Sequence, residues 1–94
     1  MVRAHTRKKP RWFVLASYPA ERSPDDERLE KLVGRMSDGS GMGFGRRDID
    51  WSWRTGPPAK RAAKKLAKLR GVHVELERFA DEDDIEPIES YVVK

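Results

Sequence analysis

Residues 72–79 alternate between apolar and polar side chains, and this alternation restricts the fold more than any other feature of the chain. The apolar positions are Val72, Val74 and Leu76, with polar residues between them. Because successive side chains of a β-strand point to opposite faces of a sheet, the pattern predicts a strand with one apolar face. That face has to pack against another layer, so the strand belongs to a half-buried sheet.

An earlier strand is predicted over residues 12–18, which are mostly apolar or aromatic. A proline follows them, and proline cannot donate a hydrogen bond to a β-ladder, so the strand ends there. The inward-facing set is either Trp12 and Val14 or Phe13 and Leu15, since the two pairs point to opposite faces.

Residues 42–54 form a third region of strand character, in which Ile49, Trp51 and Trp53 share one face. A tight turn at residues 45–47 would divide this region into a hairpin. A bulge in one long strand is the alternative. We prefer the hairpin, because glycines precede and begin the turn.

Two helices are predicted from their capping residues and their helical spacing. Ser23 and Pro24 suit an N-cap and a first helical position. The apolar face that follows them consists of Leu29, Leu32, Val33 and Met36. A second helix over residues 58–70 begins at paired prolines and ends before Gly71, which suits a left-handed C-terminal residue. Its predicted buried stripe is Ala59, Ala62, Ala63, Leu66 and Leu69.

The predicted order is strand, helix, strand, strand, helix, strand, which is the split β-α-β arrangement called ferredoxin-like. With 94 residues the chain has the length of one α+β domain. We divide it into a flexible basic arm (residues 1–11), the α+β domain (12–79) and an acidic tail (80–94). Within the tail, residues 90–93 can add a short edge strand.

The composition narrows the cellular setting. The chain has no cysteine, which excludes disulfides and favours a reducing compartment, so we expect a cytoplasmic protein. The apolar run at residues 12–16 is shorter than the core of a signal peptide. No segment approaches the ~20 apolar residues of a membrane span, and we expect no membrane partner.

The second helix carries the strongest functional signal. Residues 57–71 contain six Lys or Arg residues and no acid, a pattern that can neutralise the phosphates of DNA or RNA. The basic arm can add contacts with anions, and so can Arg46 and Arg47, which follow the glycine-rich residues 39–45. The predicted nucleic-acid or partner-binding residues are Arg7, Lys8, Lys9, Arg11, Trp12, Arg46, Arg47, Lys60, Arg61, Lys64, Lys65 and Lys68.

We do not expect nucleic acid on the outer face of the sheet. That face is predicted to carry Asp48, Asp50, Glu75 and Glu77, which repel phosphate. Paired carboxylates can hold magnesium, so a small metal-dependent nuclease using the two aspartates is a remote alternative. A polar sheet face is the simpler interpretation. We expect no catalytic residues, no bound metal and no cofactor.

The main alternative comes from another class of protein. Segregated charge, an acidic tail and an exposed tryptophan also suit a protein-binding inhibitor or adaptor, such as the accessory proteins of phages and mobile elements. Trp12, at the entry to the first strand, is the tryptophan that we expect to be exposed. An acidic protein surface would then be the partner of the basic helix. The same charge distribution permits a homodimer, with the tail of one copy against the helix of another.

Overall fold

The computed structural model describes residues 9–22, 25–81 and 83–94. Its elements in chain order are β1 (Arg11–Pro19), a single 3-10 turn (Ala20–Arg22), α1 (Asp25–Val33), β2 (Gly39–Gly43), β3 (Arg46–Trp53), α2 (Gly56–Ala67), β4 (His73–Phe79) and β5 (Glu89–Val93). The arrangement is a single α+β domain. Within the described part of the chain, no helix is long and apolar enough to cross a membrane.

The five strands form one antiparallel sheet in the order β2-β3-β1-β4-β5, with β1 at its centre. Both helices pack on the same side of this sheet, because their buried residues share one core with the inward residues of β1, β3 and β4. The predicted α+β architecture is therefore confirmed. The strand order is not the usual ferredoxin-like one, since β5 pairs with β4 and adds a fifth strand.

The core fixes which face of each strand points inward. Val14 of β1 is fully buried, and Trp12 packs against the core, whereas Leu15 is exposed on the opposite face. This decides the open question about β1 in favour of Trp12 and Val14. Ile49 and Trp51 are also buried, as predicted. The complete buried cluster is Val14, Ala16, Tyr18, Leu29, Ile49, Trp51, Ala59, Ala63, Leu66, Val74 and Leu76.

Strands β2 and β3 form the predicted hairpin, with its turn one residue earlier than expected. Phe44 and Gly45 occupy the turn and both have positive φ angles, of 53° and 76°. Two consecutive positive φ values match the twist of antiparallel strands and explain why the connection is so short. Residues 46 and 47 begin β3 and do not belong to the turn, contrary to the prediction.

Both helices end earlier than their apolar spacing predicts. Helix α1 stops at Val33, followed by Gly34 with a φ of 96°, so Met36 lies beyond the helix and is exposed. The prediction that Met36 belongs to the buried face of α1 was wrong for this reason. The proposed cap at residues 23–24 lies outside the described residues. Strand β5 occupies the part of the acidic tail where a short edge strand was expected.

Candidate nucleic-acid interface

Helix α2 lies close to the sheet because small residues form its inner side. Ala59, Ala62 and Ala63 are buried beneath it. At its first turn, Gly56 rests on the ring of Trp12, where a Cβ atom would come within 2.9 Å of the indole carbon Cζ2. The prolines that follow Gly56 suit the first helical positions, since they lack an N–H that would otherwise have no helical partner. The sequence thus fixes the start of α2 and its distance from β1.

The outer side of α2 and its C-cap, Lys68, carry five exposed cations in one stripe. They are Lys60, Arg61, Lys64, Lys65 and Lys68. Their spacing repeats with the helical period, so their charged groups lie on one side over about 12 Å of helix axis. We call these five side chains the α2 stripe.

No acid lies within α2 to neutralise this stripe. The ion pairs between described residues join other parts of the chain, and none of them involves a side chain of the stripe. Lys64 and Lys65 stand in the last turn, where positive charge also interacts favourably with the helix dipole. The stripe therefore presents unneutralised positive charge to solvent.

Trp12 connects the stripe to the sheet. The Lys60 ammonium lies 5.3 Å from the centroid of the Trp12 ring, and the Arg78 guanidinium lies 5.5 Å from the same centroid. Two cations therefore contact the π-system of Trp12. Arg78 also pairs with Glu89, at 2.5 Å between Nε and Oε1. Trp12 is half-buried and packs against the core, with less free surface than its position at the strand entry suggested.

No helix among the described residues covers the opposite side of the sheet, which is acidic. We call it the open face. Along β3 and β4 it carries Asp48, Asp50, Glu75 and Glu77, as the sequence predicted. Phe13 and Phe79 meet there edge to face, with centroids 5.3 Å apart. The sheet therefore separates the positive α2 stripe from a surface of opposite sign.

Asp50 has the most perturbed environment on the open face. Burial raises its pKa, and the nearby carboxylate of Asp38 raises it further. Asp38 itself accepts hydrogen bonds from Arg35 and from the backbone N–H and hydroxyl of Ser52, at 2.6–3.0 Å. A depression of about 290 Å³ lies beside Asp50, between Asp48, Ser17 and His73. Within the described ranges, no group of three His, Cys, Asp or Glu side chains could hold a metal ion.

The two adjacent arginines of β3 point to opposite faces. Arg46 lies on the open face and donates to the Ser17 hydroxyl at 3.3 Å. Arg47 lies on the helix side, where it donates to both carboxylate oxygens of Asp26 at 2.6 and 3.3 Å. The Tyr18 hydroxyl also donates to Asp26. Arg47 therefore ties α1 to the sheet, and the structure does not bring the two arginines together in one anion site.

The N-terminal arm is only partly described. Arg7 and Lys8 lie outside the described residues, and Lys9 is exposed two residues before the start of β1. Arg11 belongs to β1 and donates to the Ser52 hydroxyl at 3.1 Å on the open face. Its guanidinium thus lies on the side of the sheet away from α2. The structure unites the five residues of the α2 stripe and places Trp12 against Lys60, whereas Arg11, Arg46 and Arg47 lie apart from them.

Sequence reasoning missed two arginines that organise the surroundings of the site. Arg78 stacks beside Lys60 on Trp12, and its place on the inward face followed from the alternation of β4. Arg35 lies 4.7 Å from the ring centroid of Trp53 and donates to the Ser52 carbonyl at 2.9 Å. Its backbone carbonyl accepts from the Trp51 indole N–H at 3.1 Å. No local pattern marks these contacts of Arg35, because Trp51, Ser52 and Trp53 lie 16 to 18 residues away.

Comparisons with known proteins add no family to this description, since no protein-family model, no curated protein and no solved structure matches the chain.

Proposed function

We propose that this protein is a non-enzymatic nucleic-acid-binding protein, which contacts the sugar–phosphate backbone of DNA or RNA through the α2 stripe. The observation that carries the proposal is the set of five exposed cations on one side of a helix that contains no acid. Cations arranged in this way bind phosphates and release condensed counterions. The N-terminal arm would add contacts of the same kind.

The distribution of charge supports an interface on the helix side of the sheet. Asp48 and Glu75 project from the open face, where they would repel a phosphate chain. The ring of Trp12 is not free to stack on a base, because Lys60 and Arg78 already contact it. Binding through the stripe should therefore depend on backbone charge and show little sequence preference.

We also propose a finer description of the fold. The segment from β1 to β4 has the β-α-β-β-α-β order of a ferredoxin-like unit, and β5 would be an addition to its β4 edge. This assignment places α2 on the side of the sheet away from the surface on which RNA-recognition domains of similar topology stack bases.

The test is fluorescence anisotropy of labelled single- and double-stranded DNA and RNA across a salt series, with a Lys64→Ala, Lys65→Ala, Lys68→Ala triple variant. This variant spares the contact of Lys60 with Trp12. We expect the wild type to bind tightly at low salt and to lose affinity steeply as salt rises. Each phosphate contact contributes about −0.9 to the slope of log K against log salt concentration. The slope of the triple variant should therefore be less steep than that of the wild type by about 3.

A matched control removes the same charge elsewhere. An Arg28→Ala, Lys31→Ala, Lys94→Ala triple variant changes three exposed cations outside α2, so both triple variants have the same net charge. The control should keep the wild-type slope. Equal losses in both variants would contradict a localised site, and a salt-independent affinity of the wild type would contradict phosphate binding altogether.

The alternative of a protein-binding inhibitor or adaptor predicts a different result. In that case the wild type would fail to bind any of the nucleic acids at moderate salt. The α2 stripe would then face an acidic protein surface, and a single stoichiometric partner should survive nuclease treatment during affinity capture.

A further inference from the structure

The exposed apolar residues of the protein are concentrated near β5. Eight large apolar side chains are exposed among the described residues, and four of them lie between residues 85 and 92. These four are Ile85, Ile88, Tyr91 and Val92. Such a concentration at one edge of a small domain is a feature of interaction surfaces.

Among the described strands, β5 is also an edge strand, with β4 as its one neighbour. An edge strand presents backbone N–H and C=O groups that can pair with another strand. The sequence of β5, Glu-Ser-Tyr-Val-Val, contains no proline or lysine that would discourage such pairing. The other edge, β2, has the sequence Gly-Ser-Gly-Met-Gly and offers almost no side chains for an interface.

A groove lies beside β5 on the helix side of the sheet. It has a volume of about 160 Å³ and is lined by Lys60, Ala63, Lys64, Leu76, Tyr91 and Val93. Tyr91 and Val93 form its apolar outer wall, and two cations of the α2 stripe stand at its rim. An occupant should therefore combine an extended strand with an acidic side chain.

A second copy of β5 meets both requirements. In an antiparallel pair centred on Tyr91, Ser90 faces Val92 of the other copy and Glu89 faces Val93 of the other copy. No like charges oppose each other in this register. Glu89 is on the helix side, as its pairing with Arg78 shows, and its side chain is half exposed. The carboxylate of each Glu89 would enter the rim formed by Lys60 and Lys64 of the other copy.

We infer that the protein forms a two-fold symmetric dimer through antiparallel pairing of β5 with β5 of a second copy. The two sheets then join into one sheet of ten strands, twice the five of a single copy. Antiparallel pairing across a two-fold axis keeps the same sheet face on the same side in both copies. Both α2 stripes consequently lie on one side of the dimer.

The dimer makes a prediction about nucleic-acid binding that rests on the function proposed above. One copy offers five stripe cations, for a salt slope of up to about −4.5 on double-stranded DNA, and a dimer that engages both stripes offers about −9. Dimer formation itself does not depend on that function.

The first test is sedimentation velocity from micromolar to near-millimolar protein, with and without a Tyr91→Lys substitution. Tyr91 meets itself at the two-fold axis, so this change sets two like charges against each other. A Met36→Lys variant is the matched control, because it adds the same charge at an exposed apolar position outside β5 and outside residues 85–92. We expect the wild type and Met36→Lys to dimerise with rising concentration, and Tyr91→Lys to stay monomeric.

The second test determines the register by cysteine cross-linking, which is clean because the chain has no cysteine. Tyr91→Cys should form a disulfide-linked dimer on oxidation, since directly opposed Cα atoms in an antiparallel pair are about 5 Å apart. Ser90→Cys and Val92→Cys should not cross-link when each is oxidised alone, and should do so when they are mixed.

The outcomes test the dimer and the proposed function independently of each other. A wild type that sediments as a monomer throughout the range would overturn the dimer and leave nucleic-acid binding to its own test. A dimer that persists in Tyr91→Lys, or cross-links without the Ser90–Val92 pattern, would show that β5 is not the interface. A dimer that binds no nucleic acid would support the interface and contradict the function.

Discussion

The two faces of the sheet differ in almost every property that decides what a surface can do. The covered face buries large side chains such as Trp51 and Leu76 beneath two helices, and its outermost layer is the positive α2 stripe. The open face carries no helix in the described part of the chain, and it mixes carboxylates such as Asp50 and Glu75 with half-exposed apolar residues. A two-layer domain can therefore present opposite charge on its two sides while none of its described charged residues is buried in the core.

The difference originates in strand alternation. Neighbouring residues of one strand face opposite sides, so a single step along β3 separates Arg46 on the open face from Arg47 beneath α1. The same step along β1 separates buried Val14 from exposed Leu15. Pairs of identical substitutions on the two faces consequently measure how far the faces differ in energy.

The largest expected difference is between Leu76→Ala and Leu15→Ala. Leu76 is buried on the covered face, so its truncation leaves a cavity and should lower the free energy of unfolding by about 2–5 kcal/mol. Leu15 lies on the open face in the neighbouring strand and is 36 % exposed, so the same truncation should cost less than about 1 kcal/mol. Urea denaturation followed by tryptophan fluorescence measures both values.

Equal losses in these two variants would contradict an uncovered sheet face. A large loss for Leu15→Ala that appears only at high protein concentration would instead show that another molecule covers the open face. The urea dependence of unfolding serves as the control, because an unchanged slope confirms that neither variant has altered the denatured state.

The covered face was largely predictable from the sequence, and the reason is local periodicity. The alternation of residues 72–79 and the shared face of Ile49, Trp51 and Trp53 assigned inward positions that the core confirms. The phase of β1 was not predictable, since both of its faces carry large apolar residues, and only pairing with β3 and β4 decides it.

The candidate site was predictable only where it lies on one element. The α2 stripe follows from helical spacing, and all five residues are exposed on one side of the helix. Arg47 was predicted to lie at a binding surface, but its guanidinium is bound to Asp26. The sequence does not reveal this pairing, because Asp26 stands 21 residues earlier and no local pattern connects the two residues. Arg11 is a similar case, since its partner Ser52 lies 41 residues away. Long-range hydrogen bonds decide whether an arginine is available, and sequence patterns do not contain them.

A smaller difference, in the thermal midpoint of unfolding, is expected between Arg47→Ala and Arg46→Ala. The first variant removes two hydrogen bonds to Asp26 and should lower the thermal midpoint, and the second should change it little. The Arg47 guanidinium holds the pKa of Asp26 below its ordinary value, so this contribution is present at neutral pH and is lost as pH falls through the lowered pKa. The gap between the two variants should therefore narrow in acid, which thermal melts at several pH values would show.

Tyr18 provides a check at the other end of the pH scale. Burial, followed by its hydrogen bond to Asp26, raises the pKa of the Tyr18 hydroxyl from 10.0 to about 12. Stability gained from the protonated phenol is therefore complete below pH 10 and is lost as pH rises towards 12. The tyrosinate absorbance of a Tyr91→Phe variant isolates this phenol. Ionisation near pH 10 in that variant would contradict the buried network.

The smallest expected effect is on the open face, where Asp50→Asn should stabilise the protein. Because burial and Asp38 raise the pKa of Asp50, its charged form costs stability at neutral pH, and this cost disappears as pH falls through the raised pKa. Solvent screens a side chain this exposed, so the gain should stay below about 1 kcal/mol. Asp48→Asn is the matched control, since it removes the same charge from an exposed position of the same strand.

Repeating the Asp50→Asn measurement with magnesium tests the remote nuclease hypothesis at the same time. A bound cation would favour the charged carboxylate, so magnesium would raise the unfolding midpoint of the wild type and reverse the sign of the Asp50→Asn effect. We expect no such reversal. The carboxylate of Asp38 lies near Asp50, but it already accepts hydrogen bonds from Arg35 and Ser52 and is therefore not available as a second ligand for magnesium. If magnesium reversed the effects of Asp50→Asn and Asp48→Asn on stability, and of no other variant, the open face would be a second functional surface. It would be negatively charged and bind a cation, whereas the α2 stripe is positively charged and binds phosphate.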